Sequence, residues 1–260
     1  MEARKLCFSY NEQPFIEKLE IKLHEGKVTT ILGPNGSGKS TLLNLFANQY
    51  TPQSGSIYLD QKNIRDIKKK EIAQKLAVVY QQNLSPSDLT VEKLISYGRI
   101  PHKKLWKDME EKDEAVIEWA LSVTKLTEFK HKKLMSLSGG ERQRAWIAMA
   151  LVQKTKILFL DEPTTYLDIY YQLEILELIR ELNRKWGLTV VMVLHDINQA
   201  IQYSDEIIVM KKGTIVEQGP VEEILTEALI EKVYDIQVVK RWCPINKCPY
   251  ITPIPIKENK

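Results

Sequence analysis

The strongest chemical signal in the chain is GPNGSGKST, Gly33 to Thr41, which matches the pattern G-x-x-x-x-G-K-[ST]. Gly33, Gly36 and Gly38, with Pro34, Asn35 and Ser37 between them, let the backbone curl its N–H groups around phosphates. Lys39 can reach the β- and γ-phosphates, and the Ser40 hydroxyl, beside Thr41, suits Mg²⁺. A second anion-binding pattern lies in LMSLSGGERQRAWIAMA, where Ser138, Gly139 and Gly140 open a helix whose unpaired N–H groups and positive dipole end favour a negative charge. Spacing alone does not say which phosphate this second loop meets. A third signal is the pair Asp161 and Glu162 closing ILFLDE. Two adjacent carboxylates can divide two tasks, Asp161 orienting Mg²⁺ and Glu162 polarising a water towards the γ-phosphate. The chemistry these residues serve is phosphoryl transfer.

Elements of an α/β layer structure must position them. VTTIL (Val28 to Leu32), LAVVY (Leu76 to Tyr80), KILFL (Lys156 to Leu160) and TVVMVL (Thr189 to Leu194) are short continuous apolar runs, which predict buried parallel strands. The glycine loop joins the first of them to the helix-like STLLNLFAN, the context its motif requires. Asp161 and Glu162 fall at the C-terminal end of the third, where open α/β sheets meet ligands. Ile175, Leu178, Ile179 and Leu182 recur at helical spacing and complete a βαβ unit. KLCFSY, the segment Leu19 to Leu23, GSIYLD, and IIVM joined to TIVEQ through Lys211, Lys212 and Gly213 predict antiparallel strands in a small β-layer beside the main sheet. From Leu84 to Leu137 helical patterns dominate, including DMEEKDEAVIEWALSV, and predict an inserted helical subdomain. The tail WCPINKCPYITPIP reads as a finishing strand or a loose extension.

At 260 residues, 43% hydrophobic and 27% charged, the chain is long enough for a sizeable core. No apolar run approaches the roughly 18 residues of a membrane-spanning helix. The start, MEARKLCFSY, lacks the apolar segment of a secretory signal, which predicts a cytosolic location. Three cysteines suit a reducing compartment. Cys243 and Cys248 have no histidine nearby and read as thiols rather than as metal ligands. A net charge of +3, and basic runs at Lys68 to Lys70 and His131 to Lys133 without interleaved aromatics, argue against nucleic acid as a partner.

LSGGERQR, standing between the helical region and the Asp161 strand, resembles the signature of ABC proteins. With the glycine loop upstream, the chain resembles the ATPase subunit of an ABC transporter from about Arg4 into the tail. The resemblance implies a P-loop NTPase fold with a parallel core sheet, an antiparallel β-subdomain and an inserted helical subdomain. It divides the chain into a nucleotide-binding core (1–83 and 156–240), a helical signature region (84–155) and a tail (241–260). It implies ATP and Mg²⁺ as ligands, with Ser40, Gln81 and Asp161 at the metal and Lys39, Gln81, Glu162 and His195 in catalysis. Tyr10 matches the aromatic that stacks on adenine. Gln81, with Gln82 adjacent, matches the metal-sensing glutamine by its spacing to Thr90 and Val91. Asp168 matches the aspartate of a loop crossing between subunits, and His195, ending a predicted strand, the histidine that contacts the γ-phosphate. In such proteins two chains lie head to tail, so Ser138, Gly139 and Gly140 would serve ATP held by the partner of an ATP-bound homodimer.

TTYLDIYYQLEILELI and SYGRIPH are similar to segments of ATPases that drive iron-siderophore, haem and cobalamin importers. The resemblance implies ferric siderophore as cargo, with haem or cobalamin as the alternative, integral-membrane permease subunits as partners, a substrate-binding protein as an indirect partner, and a place on the cytoplasmic face of the membrane. It puts the permease contact near Gln81 and at Ser96 to Trp106, with Arg99 and Lys104 as exposed positions. An ABC protein acting on ribosomes or DNA would carry paired domains, long arms or a strongly basic surface. A stand-alone P-loop kinase would need an acceptor site and would give LSGGERQR no task.

Overall fold

The structure is a computed structural model that describes residues 1–11, 13–83, 86–103 and 111–255. It divides into two compact units, Met1–Asp66 with Val191–Lys260, and Ile67–Val190. The first stretch holds β1 (Glu2–Phe8), β2 (Ile16–Lys22), β3 (Val28–Leu32), α1 (Lys39–Phe46), β4 (Ser54–Leu59) and β5 (Lys62–Asn63). An antiparallel sheet of order β2-β1-β4-β5 forms the predicted β-layer. Its inner face takes Leu19 and Ile21 from alternate positions of β2, and Ile16 joins them across an irregularity in the ladder where Lys18 has φ 48°. Every residue of β3 is buried, as the continuous VTTIL run requires, and α1 turns Leu42, Leu43, Leu45 and Phe46 inward behind the glycine loop.

The second unit contains α2 (Lys69–Ala73), β6 (Leu76–Val79), α3 (Val91–Tyr97), α4 (Glu111–Val123), α5 (Gly139–Leu151), β7 (Ile157–Asp161) and α6 (Ile169–Trp186). β6 and β7 pair in parallel, from Leu76 opposite Ile157 to Val79 opposite Leu160. The stripe Ile175, Leu178, Ile179 and Leu182 is the buried face of α6, and Gly187 ends the helix in the left-handed conformation at φ 63°. Helices α3 and α4 both pack on α5. At the α3 end Gly98 lies so close to α5 that a Cβ would fall 2.0 Å from the Met149 carbonyl oxygen. Arg99, expected on the surface, is instead a packing residue with a side chain only 12% exposed. Its Nε donates to Asp113 Oδ1 at 2.7 Å and its guanidinium also donates to the Val152 carbonyl at 2.6 Å. A buried guanidinium needs such partners, and Asp113, in the acidic first turn of α4, supplies the opposite charge. Lys104 and the remainder of that expected docking segment, 104–106, lie outside the described residues.

β8 (Thr189–Val193) leads the chain back to the first unit, followed by α7 (Ile197–Tyr203), β9 (Glu206–Lys211), β10 (Thr214–Pro220), α8 (Val221–Ile224), α9 (Glu227–Tyr234), β11 (Val238–Cys243) and β12 (Cys248–Pro253). β9 and β10 form the antiparallel hairpin that the Lys211–Gly213 turn predicts. Their place differs from the expected one: β9 also runs parallel to β3, so the hairpin extends the sheet of the glycine-loop strand instead of the β-layer. The reason lies in IIVM, whose four residues are all buried, as suits a strand covered on both faces. The tail is neither a single strand nor a loose extension but a two-stranded hairpin, β11 with β12. Among the described residues no helix is long and apolar enough to cross a membrane.

Gly98→Ala should force α3 away from α5 and destabilise the protein by about 1–3 kcal/mol, the usual cost of overpacking. Urea unfolding checks this, and a midpoint equal to that of the parent would contradict the packing.

Candidate functional site

The glycine loop is shaped by close approach and by backbone handedness. Gly33 has φ 153°, and a Cβ there would stand 2.2 Å from the Met210 carbonyl oxygen and 2.6 Å from Ser37 Oγ. Gly38, at φ 102°, is the N-cap of α1 and supplies no side-chain cap, so the helix opens on its own backbone. Lys39 is 5% exposed. Its Nζ donates to the Gly33 carbonyl at 2.9 Å and to the Pro34 carbonyl at 3.1 Å. The loop thus wraps a nearly buried cation at an uncapped helix start of eight residues, a cradle whose chemistry fits a polyphosphate. Ser37 Oγ is buried and unpaired within it, Ser40 is half-buried, and Thr41 is buried. Burial pushes the Tyr234 phenol up to about 12, with an opposing pull from the Gly33 backbone, so the group beside the loop stays neutral at physiological pH.

Tyr10 stands at this loop. Its hydroxyl shares a 2.6 Å hydrogen bond with Thr41 Oγ1, while its ring meets Phe8 edge-on at 5.0 Å, Tyr50 edge-on at 6.0 Å and Phe15 at 5.6 Å. The ring is nevertheless 58% exposed, which leaves aromatic surface for a planar ligand. His195 follows β8 and is exposed, and the next residue, Asp196, caps α7 by accepting from the Asn198 and Gln199 amides.

In the second unit Ser138 is the N-cap of α5 in a complete capping box: Ser138 Oγ accepts from the Glu141 amide at 3.3 Å, and Glu141 Oε2 accepts from the Ser138 amide at 2.8 Å. The Ser138 hydroxyl keeps its own hydrogen for an outside acceptor. Gly139 and Gly140 are the first helical residues. A Cβ on Gly140 would meet Tyr171 Cδ1 at 2.3 Å, so this glycine is required by α6 as well as by any anion. Arg144, also of LSGGERQR, is buried and paired with Glu174 of α6, which fixes the signature helix from behind.

Asp161, the last residue of β7, is 6% exposed, and Glu162 follows at φ 51°. The structure brings Gln81 and Glu162 together, since Gln81 Nε2 donates to Glu162 Oε2. Thr165 Oγ1 donates to the same oxygen at 3.1 Å. Sequence reading missed Thr165 and Tyr171, because each acts through a contact with no motif of its own. Asp168 is the N-cap of α6, its carboxylate accepting from the Tyr171 amide at 3.1 Å. That bond accounts structurally for a residue otherwise assigned only by resemblance.

Comparison with known proteins adds the family. A family profile described as ABC transporter matches residues 16–165. The chain is 45% identical to the petrobactin import ATP-binding protein FpuC of Bacillus anthracis, over 92% of this chain and 88% of that protein. It is 42% identical to the iron(3+)-hydroxamate import ATP-binding protein FhuC of Bacillus subtilis, over 91% and 88%. It is 40% identical to the ferric enterobactin transport ATP-binding protein FepC of Escherichia coli, over 98% and 94%. Among solved structures, a chain of an inward-facing transporter assigned to the metal-chelate ABC type superposes with a TM-score of 0.86 at 27% identity, covering 97% of this chain and 96% of that one. The dimeric bacterial ABC transporter cassette MJ0796 superposes at 0.74 with 29% identity, covering 85% and 98%.

Ser138→Ala should remove the cap and cost about 0.5–2 kcal/mol, whereas Ser138→Asp retains a capping oxygen and should unfold close to the parent. Urea titration of both variants checks this; equal stability of parent and Ser138→Ala would mean that the cap contributes nothing.

Proposed function

The chain belongs to the ABC transporter family and is an ATPase of it; on that premise we propose that it energises an importer of ferric siderophore. The observation that carries the nucleotide reading is Lys39, a nearly buried cation held by the carbonyls of its own glycine loop at an uncapped helix start. The cargo reading rests on the relatives, whose names specify petrobactin, iron(3+)-hydroxamate and ferric enterobactin import. A substrate-binding protein would deliver that cargo to membrane permease subunits, and this chain would work beneath them as a homodimer on the cytoplasmic face. Residues 84–155 are proposed as the helical signature region of the ATPase.

Each residue then has a physical task. Backbone N–H groups of the loop Gly33 to Thr41, Pro34 excepted, bind the phosphates, and Lys39 exchanges carbonyl partners for phosphate oxygens, a gain because a charged acceptor makes the stronger hydrogen bond to an ammonium group. Mg²⁺, when bound, neutralises charge developing on the transferred phosphoryl group, and Ser40, Asp161 and Gln81 are the residues assigned to hold it. Glu162 accepts a proton from the attacking water. Gln81 and Thr165, both donating to its Oε2, orient that carboxylate. His195 is assigned to the γ-phosphate and Tyr10 to the adenine ring. Ser138, Gly139 and Gly140 are assigned to ATP on a second copy of the chain, and Asp168 to the loop between copies.

Glu162→Gln keeps the shape and both donors but cannot take the proton. In cells expressing the ATPase with its permease, this variant should abolish uptake of ferric siderophore that the parent supports. In the purified protein, turnover should fall about 10²–10⁴-fold while ATP is still retained. Parental turnover would contradict the base assignment, and uptake of haem or cobalamin instead of ferric siderophore would contradict the cargo.

A further inference from the structure

Cys243 and Cys248 end the two strands of the C-terminal hairpin and face each other directly: the register runs from Val238 opposite Pro253, through Trp242 opposite Pro249, to Cys243 opposite Cys248. The kind of pair follows from parity. Residues opposite each other in an antiparallel ladder alternate between pairs that exchange both N–H bonds and pairs that exchange none. Proline has no amide hydrogen, so Pro249 and Pro253 belong to the second kind, and Cys243 with Cys248, of the other parity, to the first. Two bonds agree. The Ile251 amide, sharing the prolines' parity, points off the ladder to Asn198 Oδ1 at 2.7 Å, whereas the Ile254 amide donates across to the Gln237 carbonyl at 2.9 Å.

Cα atoms in such a hydrogen-bonded pair stand about 5.5 Å apart, within the roughly 4.4–6.8 Å that a disulfide spans without backbone movement. Both side chains leave the same face of the ladder. Pro249 and Ile251 bury the opposite face, while Tyr250 and Thr252 are exposed, so the two thiols lie outward and each is partly exposed. Both thiols are free.

We propose that Cys243 and Cys248 are a thiol–disulfide modification site, oxidised by a low-molecular-weight disulfide to an intrachain bond that clips the hairpin shut. The inference does not rest on the ATPase reading. Burial first, then the charges of Cys243 and Glu222, push the Cys248 thiol up, which leaves the opening attack to Cys243. The Cys243 thiolate attacks one sulfur of the small disulfide, forming a mixed disulfide and expelling a small thiolate. That thiolate takes the Cys248 proton. Cys248 then attacks Cys243 Sγ and expels the second small thiolate, which recovers the proton Cys243 lost. The protein loses two electrons, and the small disulfide is reduced to two thiols. The third cysteine is a built-in control. Cys7 on β1 faces Ser54, not a thiol, so it has no resolving partner on its ladder. Hydrogen bonds from Ser54 and from the Lys18 amide lower its pKa, so it can take an adduct but not a cross-link.

The modification sits on an element tied to the helix after His195. Asn198 of α7 donates to the Ile251 carbonyl at 3.1 Å while accepting from its amide, and Asn246 in the hairpin turn donates to Gln202 Oε1 at 3.3 Å.

The test incubates the reduced full chain with glutathione and oxidised glutathione at graded ratios, quenches with acid, alkylates, and maps adducts by mass spectrometry. The expected product is a chain two hydrogens lighter, with Cys243 and Cys248 linked and protected from alkylation, and the link reversed by excess dithiol. Cys248→Ser should convert the link into a glutathione adduct on Cys243. Separate adducts on both residues of the parent, alkylation of both at every ratio, or links only between two chains would overturn the proposal.

Discussion

An ammonium group that is nearly buried must be compensated, and the compensation of Lys39 organises the first unit. Its Nζ is satisfied by carbonyls of Gly33 and Pro34, residues of the very loop that leads into its helix. The loop can close on the lysine only if its turns accept left-handed backbone, as Gly38 does, and if Gly33 carries no Cβ against Met210. Turning carbonyls inward to the cation leaves N–H groups of the loop and of the α1 start for an incoming anion. Those carbonyls are replaceable partners. A phosphate offers Lys39 a full opposite charge where a carbonyl offers a dipole, so the resting arrangement stores a binding preference without leaving a charge unpaired.

The second unit meets the same demand differently. Here no lysine organises the turn; the signature helix starts on a capping box, with Arg144 and Tyr171 fixing it against α6. Ser138 and Glu141 satisfy each other, and the amides of Gly139 and Gly140 follow at the positive end of the dipole. Beyond β7 the Glu162 carboxylate is held by Gln81 and Thr165 in a left-handed backbone conformation, a posture that requires support from its surroundings. Donors of this kind orient a carboxylate while leaving it able to accept a proton.

Features that depend on a few consecutive residues were legible in the sequence. The glycine loop, the Ser138 helix start and the β3 and β7 strands follow from local backbone requirements and from continuous burial. Contacts between residues distant in sequence were not. Nothing in the neighbourhood of Gln81 announces its contact with Glu162, and nothing around Gly140 announces that Tyr171 of α6 lies where its Cβ would be. Arg99 reads as a surface charge because its partners, Asp113 on α4 and the carbonyl of Val152 at the end of α5, are distant in sequence. The hairpin turn after β9 specifies β10 as one neighbour and leaves the other edge open, so its pairing with β3 is not legible locally. The tail hairpin was hidden by its prolines, which occupy the non-hydrogen-bonded parity where a strand tolerates them.

The Lys39 loop of one chain and the Ser138 helix start of another are proposed to read the same phosphates. The direct test pairs a Lys39→Ala chain with a Ser138→Arg chain, each tagged so that only mixed dimers are isolated, and measures ATP retained in the presence of Mg²⁺ under non-hydrolysing conditions. If the two loops meet across the dimer, both defects fall in one site, and the other site is intact. One tightly held nucleotide per mixed dimer is the predicted result. Loss of both nucleotides, with the dimers shown to be stable, would contradict the claim and return Ser138 to its own chain's site.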